Sequence, residues 1–201
     1  FWLSFSGHSI PILSSYSLFL VCLGSIFQVI FTYVLMQVFA HKSFAAGIAF
    51  SKTEVILIAF LEVVILNVIF SLPLILGILL GVISVLFLSF AKKAETILET
   101  FKQLFNSMLK IGTLIGLLSG LLLAASVVFF RMAIISVDAP LLDKSIYISF
   151  IAIVFQTILV GFYLFFFKKE QFFSVFKHWK PSLPAGICGT GATFGWFLAF
   201  G

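Results

Sequence analysis

Long apolar runs are the feature that most constrains how this chain can fold. Segments 15–39, 111–134 and 146–167 each run for more than twenty residues with at most one charge. A helix needs about 20 apolar residues to cross a bilayer, and a helix satisfies its own backbone hydrogen bonds there. Apolar residues make up 62% of the chain and charged ones 9%, against roughly 45–50% and about 25% in soluble domains. The sequence predicts an all-α integral membrane protein, a multi-span helical bundle, and excludes a soluble globular domain.

Shorter apolar runs add further spans. Segments 44–66 and 74–90 lie between the first two long runs, and another span begins near Pro184. Since a span with its loop takes roughly 25–30 residues, the chain has room for six or seven. Residues Phe1–Phe5 resemble the tail of an earlier helix, and the start of the sequence has no charged n-region or cleavage site of the signal-peptide kind. We therefore expect an internal piece of a longer membrane protein.

Basic residues divide unevenly between the two faces of the predicted bundle. The chain carries 12 Lys and Arg against 7 Asp and Glu, a net charge of +5. The loops after the first, third and fifth spans hold nine lysines, and the opposite loops hold only Lys144. The nine are Lys42, Lys92, Lys93, Lys102, Lys110, Lys168, Lys169, Lys177 and Lys180. Cytoplasmic loops are enriched in Lys and Arg, so this excess predicts orientation in the membrane and no nucleic-acid partner.

Two polar connectors have the spacing of amphipathic helices. In segment 94–109 apolar residues recur at three- and four-residue intervals, with charged and amide side chains between them. Segment 168–180 repeats the pattern with aromatic residues among lysines. The aromatic residues are Phe172, Phe173, Phe176 and Trp179. Both connectors are predicted to lie in the membrane interface, and a regulatory or partner-binding surface is the alternative.

Small residues four apart occur in three of the spans. They are Gly112, Gly116, Gly120 and Ala124 in the fourth span, Gly77 and Gly81 in the third, and Gly191, Gly195 and Ala199 in the sixth. Such residues share a helix face and let two membrane helices approach closely, so we expect close packing at all three. In the sixth span, the cluster from Gly186 to Gly195 has a second interpretation, room for a ligand.

Two charges in the second span, Lys52 and Glu54, need a specific environment. They lie eight and ten residues into segment 44–66, about 12–15 Å deep at 1.5 Å per residue. A charge at the bilayer centre costs roughly 2.5–3.5 kcal/mol. Residues two apart point to different faces of a helix and do not pair as i,i+4 neighbours do. One interpretation is a substrate or proton site in a central cavity, and the other is an ion pair with a neighbouring helix.

The remaining polar side chains of the spans fall into two groups. The first is predicted to face the bundle or its cavity and joins Lys52 and Glu54 as substrate-binding or coupling candidates. It consists of Gln28, Tyr33, Gln156 and Trp196. The second is predicted to be structural, because its members lie near span ends or in a turn, where long side chains reach the interface or pair. It consists of Glu62, Arg131 and Asp138.

Motifs that carry chemistry are missing. The three histidines, His8, His41 and His178, lie in separate loops, so no metal site is predicted. The sequence has no HExxH, GxSxG or Walker motif, which a membrane enzyme would use. We therefore expect no enzymatic activity and no cofactor. Cys22 and Cys188 lie in apolar runs and are interpreted as small hydrophobic residues.

Four strings in this sequence carry a family resemblance. The stretch from His41 to Glu54 reads HKSFAAGIAFSKTE, and 76–82 reads LGILLGV. Later, 120–131 reads GLLLAASVVFFR and 195–200 reads GWFLAF. In this order and spacing they resemble the fourth, fifth, sixth and eighth helices of EamA-type transporters of the drug/metabolite transporter (DMT) superfamily. One departure is the pair Asn67-Val68, where many members have Gly followed by an acidic residue, which puts any role of that acid in doubt.

The resemblance implies part of a ten-helix transporter built as two inverted five-helix halves. Residues 1–90 would run from the end of helix 2 through helix 5, 91–110 would be the amphipathic cytoplasmic connector, and 111–201 would begin the second repeat with helices 6 to 8. It implies a secondary transporter of small metabolites or drugs in a bacterial inner membrane, working by alternating access. The expected partners are membrane lipid, a small-molecule substrate and, as one option, a second copy in a homodimer. A non-transporting membrane scaffold or assembly subunit is the alternative function.

Overall fold

The computed structural model describes residues 11–40, 54–67, 72–73, 75–81 and 111–201. These residues are helical apart from short turns, and no strand occurs among them. We number the helices α1 (Ser15–Ala40), α2 (Glu54–Leu66), α3 (Ile111–Ile135), α4 (Leu141–Phe167), α5 (Lys169–Lys177) and α6 (Trp179–Ala199). Residues 72–73 and 75–81 are also helical. The all-α prediction is confirmed for this part of the chain.

Three of these helices are long and apolar enough to cross a membrane. The segments are Ser15–Gln37 in α1, Leu114–Ile135 in α3 and Leu141–Phe167 in α4. They coincide with the three long apolar runs, so the protein is a membrane protein by the length and composition of its helices. For the second and third predicted spans, only 54–66 and 75–81 are described as helix. The rest of both spans, and the connector 91–110, lie outside the described residues.

Two helices begin earlier than predicted. The fifth span was expected at Ile146, but α4 begins at Leu141, directly after Pro140 in an extended conformation (φ −52°, ψ 139°). Proline with this φ favours a helix start, and Asp143 in the first turn complements the helix dipole. The sixth span was expected near Pro184, yet α6 begins at Trp179 and contains that proline.

The chain divides into two compact units, Phe1–Ile26 with Phe129–Gly201 and Phe27–Val128. The core of the first unit holds Val21, Phe130, Ile134, Ile148 and Phe197, all at most 3% exposed. The rings of Phe130 and Phe197 lie 4.9 Å apart. A methyl group on Gly24 would come within 2.9 Å of the Phe130 ring. The close approach of α1 to this ring therefore requires a glycine at position 24.

Serine hydroxyls link the helices of the first unit. Ser17 Oγ lies 2.9 Å from Ser14 Oγ and 2.9 Å from Ser136 Oγ, which connects α1 to the turn after α3. Ser145 Oγ on α4 donates to the carbonyl of Phe197 on α6 at 3.2 Å. Such side-chain bonds between membrane helices supply attraction that lipid does not. The first bond holds α1 to the turn after α3, and the second holds α4 to α6, around the same apolar core.

In the second unit, small residues of α3 are buried together. Gly116, Gly120 and Ala124 are all buried, and Ser119 Oγ donates to the Gly116 carbonyl at 2.7 Å. The packing predicted for this face of the fourth span is confirmed at these three positions. At four other positions, a methyl group added to the glycine would meet no atom within 4 Å. These are Gly77, Gly81, Gly191 and Gly195, where the predicted close packing is not found in the described part of the chain.

Candidate functional site

Helix α2 turns its carboxylates inward and its apolar residues outward. Glu54 is 7% exposed and Glu62 is 8% exposed, and Ala59 is the third buried residue of this helix. The exposed positions are Val55, Ile56, Phe60, Val64 and Ile65. A helix in water has the opposite arrangement, with apolar residues on the covered face. The distribution is that of a helix whose outer face meets lipid and whose polar groups meet the protein interior.

Local sequence explains how α2 is built and where it ends. Between its two glutamates lie only Ala, Val, Ile, Leu and Phe residues, which suit a helix that exposes most of its surface to hydrocarbon. The helix ends at Asn67, whose φ of 50° is in the left-handed region, with its N–H bonded to the Val63 carbonyl at 3.1 Å. Glycine usually fills this position and asparagine tolerates it. Asn67 is therefore a suitable residue to follow the last turn of α2.

Glu54 and Glu62 lie at different depths on nearly the same side of α2. They are eight residues apart, which corresponds to about 12 Å along the axis and about 80° around it at 3.6 residues per turn. Neither carboxylate lacks an interaction partner. Glu62, predicted near a span end as a structural charge, is buried as deeply as Glu54. Helix α2 thus buries two acidic groups at different heights along its axis, and the roles predicted for them stay predictions.

The other substrate-binding candidates have varied environments. Lys52 lies outside the described residues. Gln28 on α1 and Gln156 on α4 are half-buried, and neither is without a partner. Tyr33 is 61% exposed and Trp196 is 54% exposed, with the Trp196 ring 5.8 Å from Phe200. Gln28 and Tyr33 belong to the second unit, together with Glu54, whereas Gln156 and Trp196 belong to the first.

Among the predicted structural charges, Arg131 is half-buried near the end of α3 and Asp138 is exposed in the following turn. A further buried acid was not predicted. Asp143 is 2% exposed in the first turn of α4 and has an interaction partner. An acidic residue three positions after a proline is a signal for a helix start, and it could have been recognised in the sequence.

The described residues form a shallow depression on α6 but no metal-binding cluster. Within the described ranges, no group of three or more His, Cys, Asp or Glu side chains could hold a metal ion. On α6 a shallow depression of about 410 Å³ is lined by Leu183, Gly186, Ile187 and Thr190. Its lining offers one hydroxyl, and Thr190 Oγ1 already donates to the Gly186 carbonyl at 2.9 Å. This depression has the room that the glycine cluster predicted but no charged group to orient a ligand.

Comparison with protein-family models, with curated proteins and with solved structures gives no match to this chain. The family resemblance therefore rests on the four sequence strings alone.

Proposed function

We propose that this chain is part of a secondary transporter of small metabolites or drugs, with the inward face of α2 in the path of the substrate or the coupling ion. The observation that carries the proposal is the reversed polarity of α2. Both of its carboxylates are buried and the exposed positions of the helix are apolar. The resemblance to EamA-type transporters supports the same class, with a site between two inverted halves.

The energetic argument rests on the cost of keeping a carboxylate within a membrane protein. Charged groups inside spans are expensive, and they are kept where they pair or line a pathway for ions or substrates. A helix that served only as a membrane anchor would need neither glutamate, because the remaining residues of Glu54–Leu66 are all apolar. Two such buried acids at separate depths suit a path that carries a proton or a cationic group.

Each candidate residue has a role in this proposal. Glu54 exchanges a proton or pairs with the substrate, and Lys52 binds an anionic group. Gln28 and Gln156 are each candidates for a hydrogen bond to a polar substrate such as an amino acid. Alternating access then comes from rocking of one half of the full-length protein against the other around a site near the midplane. The membrane is a bacterial inner membrane, with the nine-lysine face in the cytoplasm.

The test is neutralisation of Glu54 in the full-length protein. Glu54→Gln keeps much of the side-chain shape and removes the charge. Transport should therefore fall at least about tenfold, which corresponds to roughly 1.4 kcal/mol of activation free energy. Expression and thermal stability should stay near wild type. Uptake of radiolabelled amino acids and of ethidium into vesicles measures transport. A pH-sensitive dye in the vesicles reports proton movement. Glu170→Gln is the matched control, because it removes a carboxylate from the exposed helix α5.

A structural ion pair gives a different pattern. Lys52→Gln and Glu54→Gln would each reduce the amount of folded protein, since breaking a buried pair costs roughly 3–5 kcal/mol. The loss of transport in each variant would then match its loss of folded protein, and that match would refute the proposed site. Absence of transport of every probe by the wild-type protein would favour the scaffold or assembly subunit instead.

A further inference from the structure

Helix α5 and the residues that flank it form an exposed surface of lysines and aromatic rings. We call it the basic–aromatic surface, and it consists of Lys168, Lys169, Phe172, Phe173, Phe176, Lys177, Trp179 and Lys180. No residue of α5 is buried. Phe173 and Phe176 are each 64% exposed and Trp179 is 54% exposed. Three large aromatic side chains are thus left uncovered beside four cationic ones.

The helix geometry places lysine and phenylalanine on the same side of α5. Lys169, Phe172, Phe173 and Phe176 follow the spacing i, i+3, i+4 and i+7, which is one face of a helix. Glu170, Gln171 and Ser174 occupy the opposite face. The Phe172 ring lies 5.3 Å from Phe176 and 5.6 Å from Phe173. The aromatic side is therefore a continuous cluster with a cation at its start.

The same cluster continues into the end of α4, a membrane-spanning helix. The ring of Phe165 on α4 lies 5.5 Å from Phe172 on α5 in an edge-on arrangement. Lys168 separates the two helices and has non-helical backbone angles (φ −143°, ψ 54°). Since α4 is long enough to cross the bilayer, the surface at its end lies at the level of the lipid headgroups. Aromatic residues and lysines are enriched at that level.

We propose that the basic–aromatic surface binds the headgroups of anionic phospholipids. Residues 168–180 contain four lysines and one acidic residue, Glu170. Glu170 lies on the side of α5 away from the rings. The rings insert at the boundary between headgroups and acyl chains, and the ammonium groups reach the lipid phosphates. Lys180 Nζ lies 5.9 Å from the centre of the Trp179 ring, which holds one cation beside an inserted aromatic. This binding is independent of the transport function.

The experiment measures lipid selectivity of the full chain reconstituted in vesicles. Spin-labelled phosphatidylglycerol and spin-labelled phosphatidylcholine report the relative association of each lipid with the protein. The wild-type protein should prefer phosphatidylglycerol, and each basic residue near an anionic surface contributes about fivefold to binding. Replacing Lys168, Lys169, Lys177 and Lys180 together by Gln should remove most of this preference, as should high salt. Lys144→Gln, on the opposite side of the membrane, is the control and should leave it unchanged.

A second measurement keeps the test decisive. With Cys22 and Cys188 replaced by Ala, a nitroxide at Phe173→Cys reports its depth, and one at Gln171→Cys reports the polar face. The label at 173 should be lipid-embedded and that at 171 water-exposed in vesicles containing phosphatidylglycerol. Unchanged selectivity in the fourfold variant would overturn the proposal. So would a label at 173 that is shielded from both oxygen and water-soluble quencher, because that result indicates a protein partner.

Discussion

Helices α3 and α6 carry the same small-residue spacing and have opposite environments. On α3, Gly116, Gly120 and Ala124 are all buried. On α6, Gly191 and Gly195 are exposed, and an added methyl group would touch nothing at either position. The two stripes are indistinguishable as patterns, because each puts small residues on one helix face at four-residue intervals. A stripe of this kind therefore shows that a face is able to accept a neighbouring helix, and tertiary structure determines whether one is there.

Hydroxyl groups differ in whether they bond between helices or within one helix. On α1, Ser17 reaches across to Ser136 beyond α3. On α6, Ser182 and Thr190 donate to carbonyls of their own helix, those of His178 and Gly186. A hydroxyl that bonds within its own helix contributes nothing to the attachment of that helix. Hydroxyl bonding does not follow the contrast between α3 and α6, because Ser119 on the covered face of α3 also donates within its own helix.

The largest expected effect is at the covered stripe. Gly116→Leu should destabilise the protein by roughly 1–3 kcal/mol, because a bulky side chain at a close crossing forces the helices apart. It should cost more than Leu117→Ala at the adjacent, half-buried position. Gly191→Leu on α6 should stay within about 0.5 kcal/mol, as for an exposed site. Thermal unfolding in detergent measures all three.

Equal losses for Gly116→Leu and Gly191→Leu would contradict the difference between α3 and α6, since the open face of α6 would then be covered in the intact assembly. No loss for Gly116→Leu would mean that this face of α3 meets lipid.

A smaller effect is expected at Gly24, where the neighbour is known. Gly24→Ala brings its Cβ within 2.9 Å of the Phe130 ring, so α1 or the ring must shift, at a cost of about 1 kcal/mol. Gly195→Ala has open space around it and should be neutral or gain up to about 1 kcal/mol from helix propensity. Unfolding in the same detergent should show a loss of stability for Gly24→Ala and no loss, or a gain, for Gly195→Ala. A stabilising Gly24→Ala would contradict the close approach of α1 to Phe130.

The smallest effect concerns the hydroxyls. Ser17→Ala removes the bonds to Ser14 and Ser136 and should cost about 0.6 kcal/mol, the average for such bonds between membrane helices. Thr190→Val removes only a bond within α6 and should change stability by less than about 0.3 kcal/mol. The same unfolding assay, repeated for both variants, compares them. A larger loss for Thr190→Val would mean that its hydroxyl serves another chain or ligand.

Several features of the fold could be predicted from the amino-acid sequence. The long apolar runs predicted α1, α3 and α4, because hydrocarbon admits a backbone only when it is hydrogen-bonded internally. The start of α4 was predicted five residues late, at Ile146, because the unbroken apolar run begins there, whereas the helix begins at Leu141 and its first turn includes the buried Asp143. The start of α6 was also predicted late, since Pro184 was interpreted as a helix start, whereas the helix begins at Trp179 and includes it.

The candidate site depended more on tertiary structure. Lys52 and Glu54 were singled out because charge inside a span is costly, and burial of Glu54 agrees with that reasoning. Glu62 looked like a helix-end group, and only the packing of α2 shows it as buried as Glu54. Tyr33 and Trp196 were expected near a cavity, yet both are more than half exposed. An aromatic ring is compatible with lipid as well as with protein, so its sequence position does not distinguish the two.

Sequence by itself determined where the membrane helices lie, that the chain is all-α, and which residues are too polar for a purely hydrophobic span. Those properties follow from local composition and length, which act on each segment independently of the others. Tertiary structure decided that α2 turns both glutamates inward, that the small residues of α3 are covered and those of α6 are open, and that Gly24 lies against Phe130. These outcomes depend on which surfaces meet, because in a membrane apolar faces gain no hydrophobic free energy from one another and close packing with a specific partner determines the arrangement.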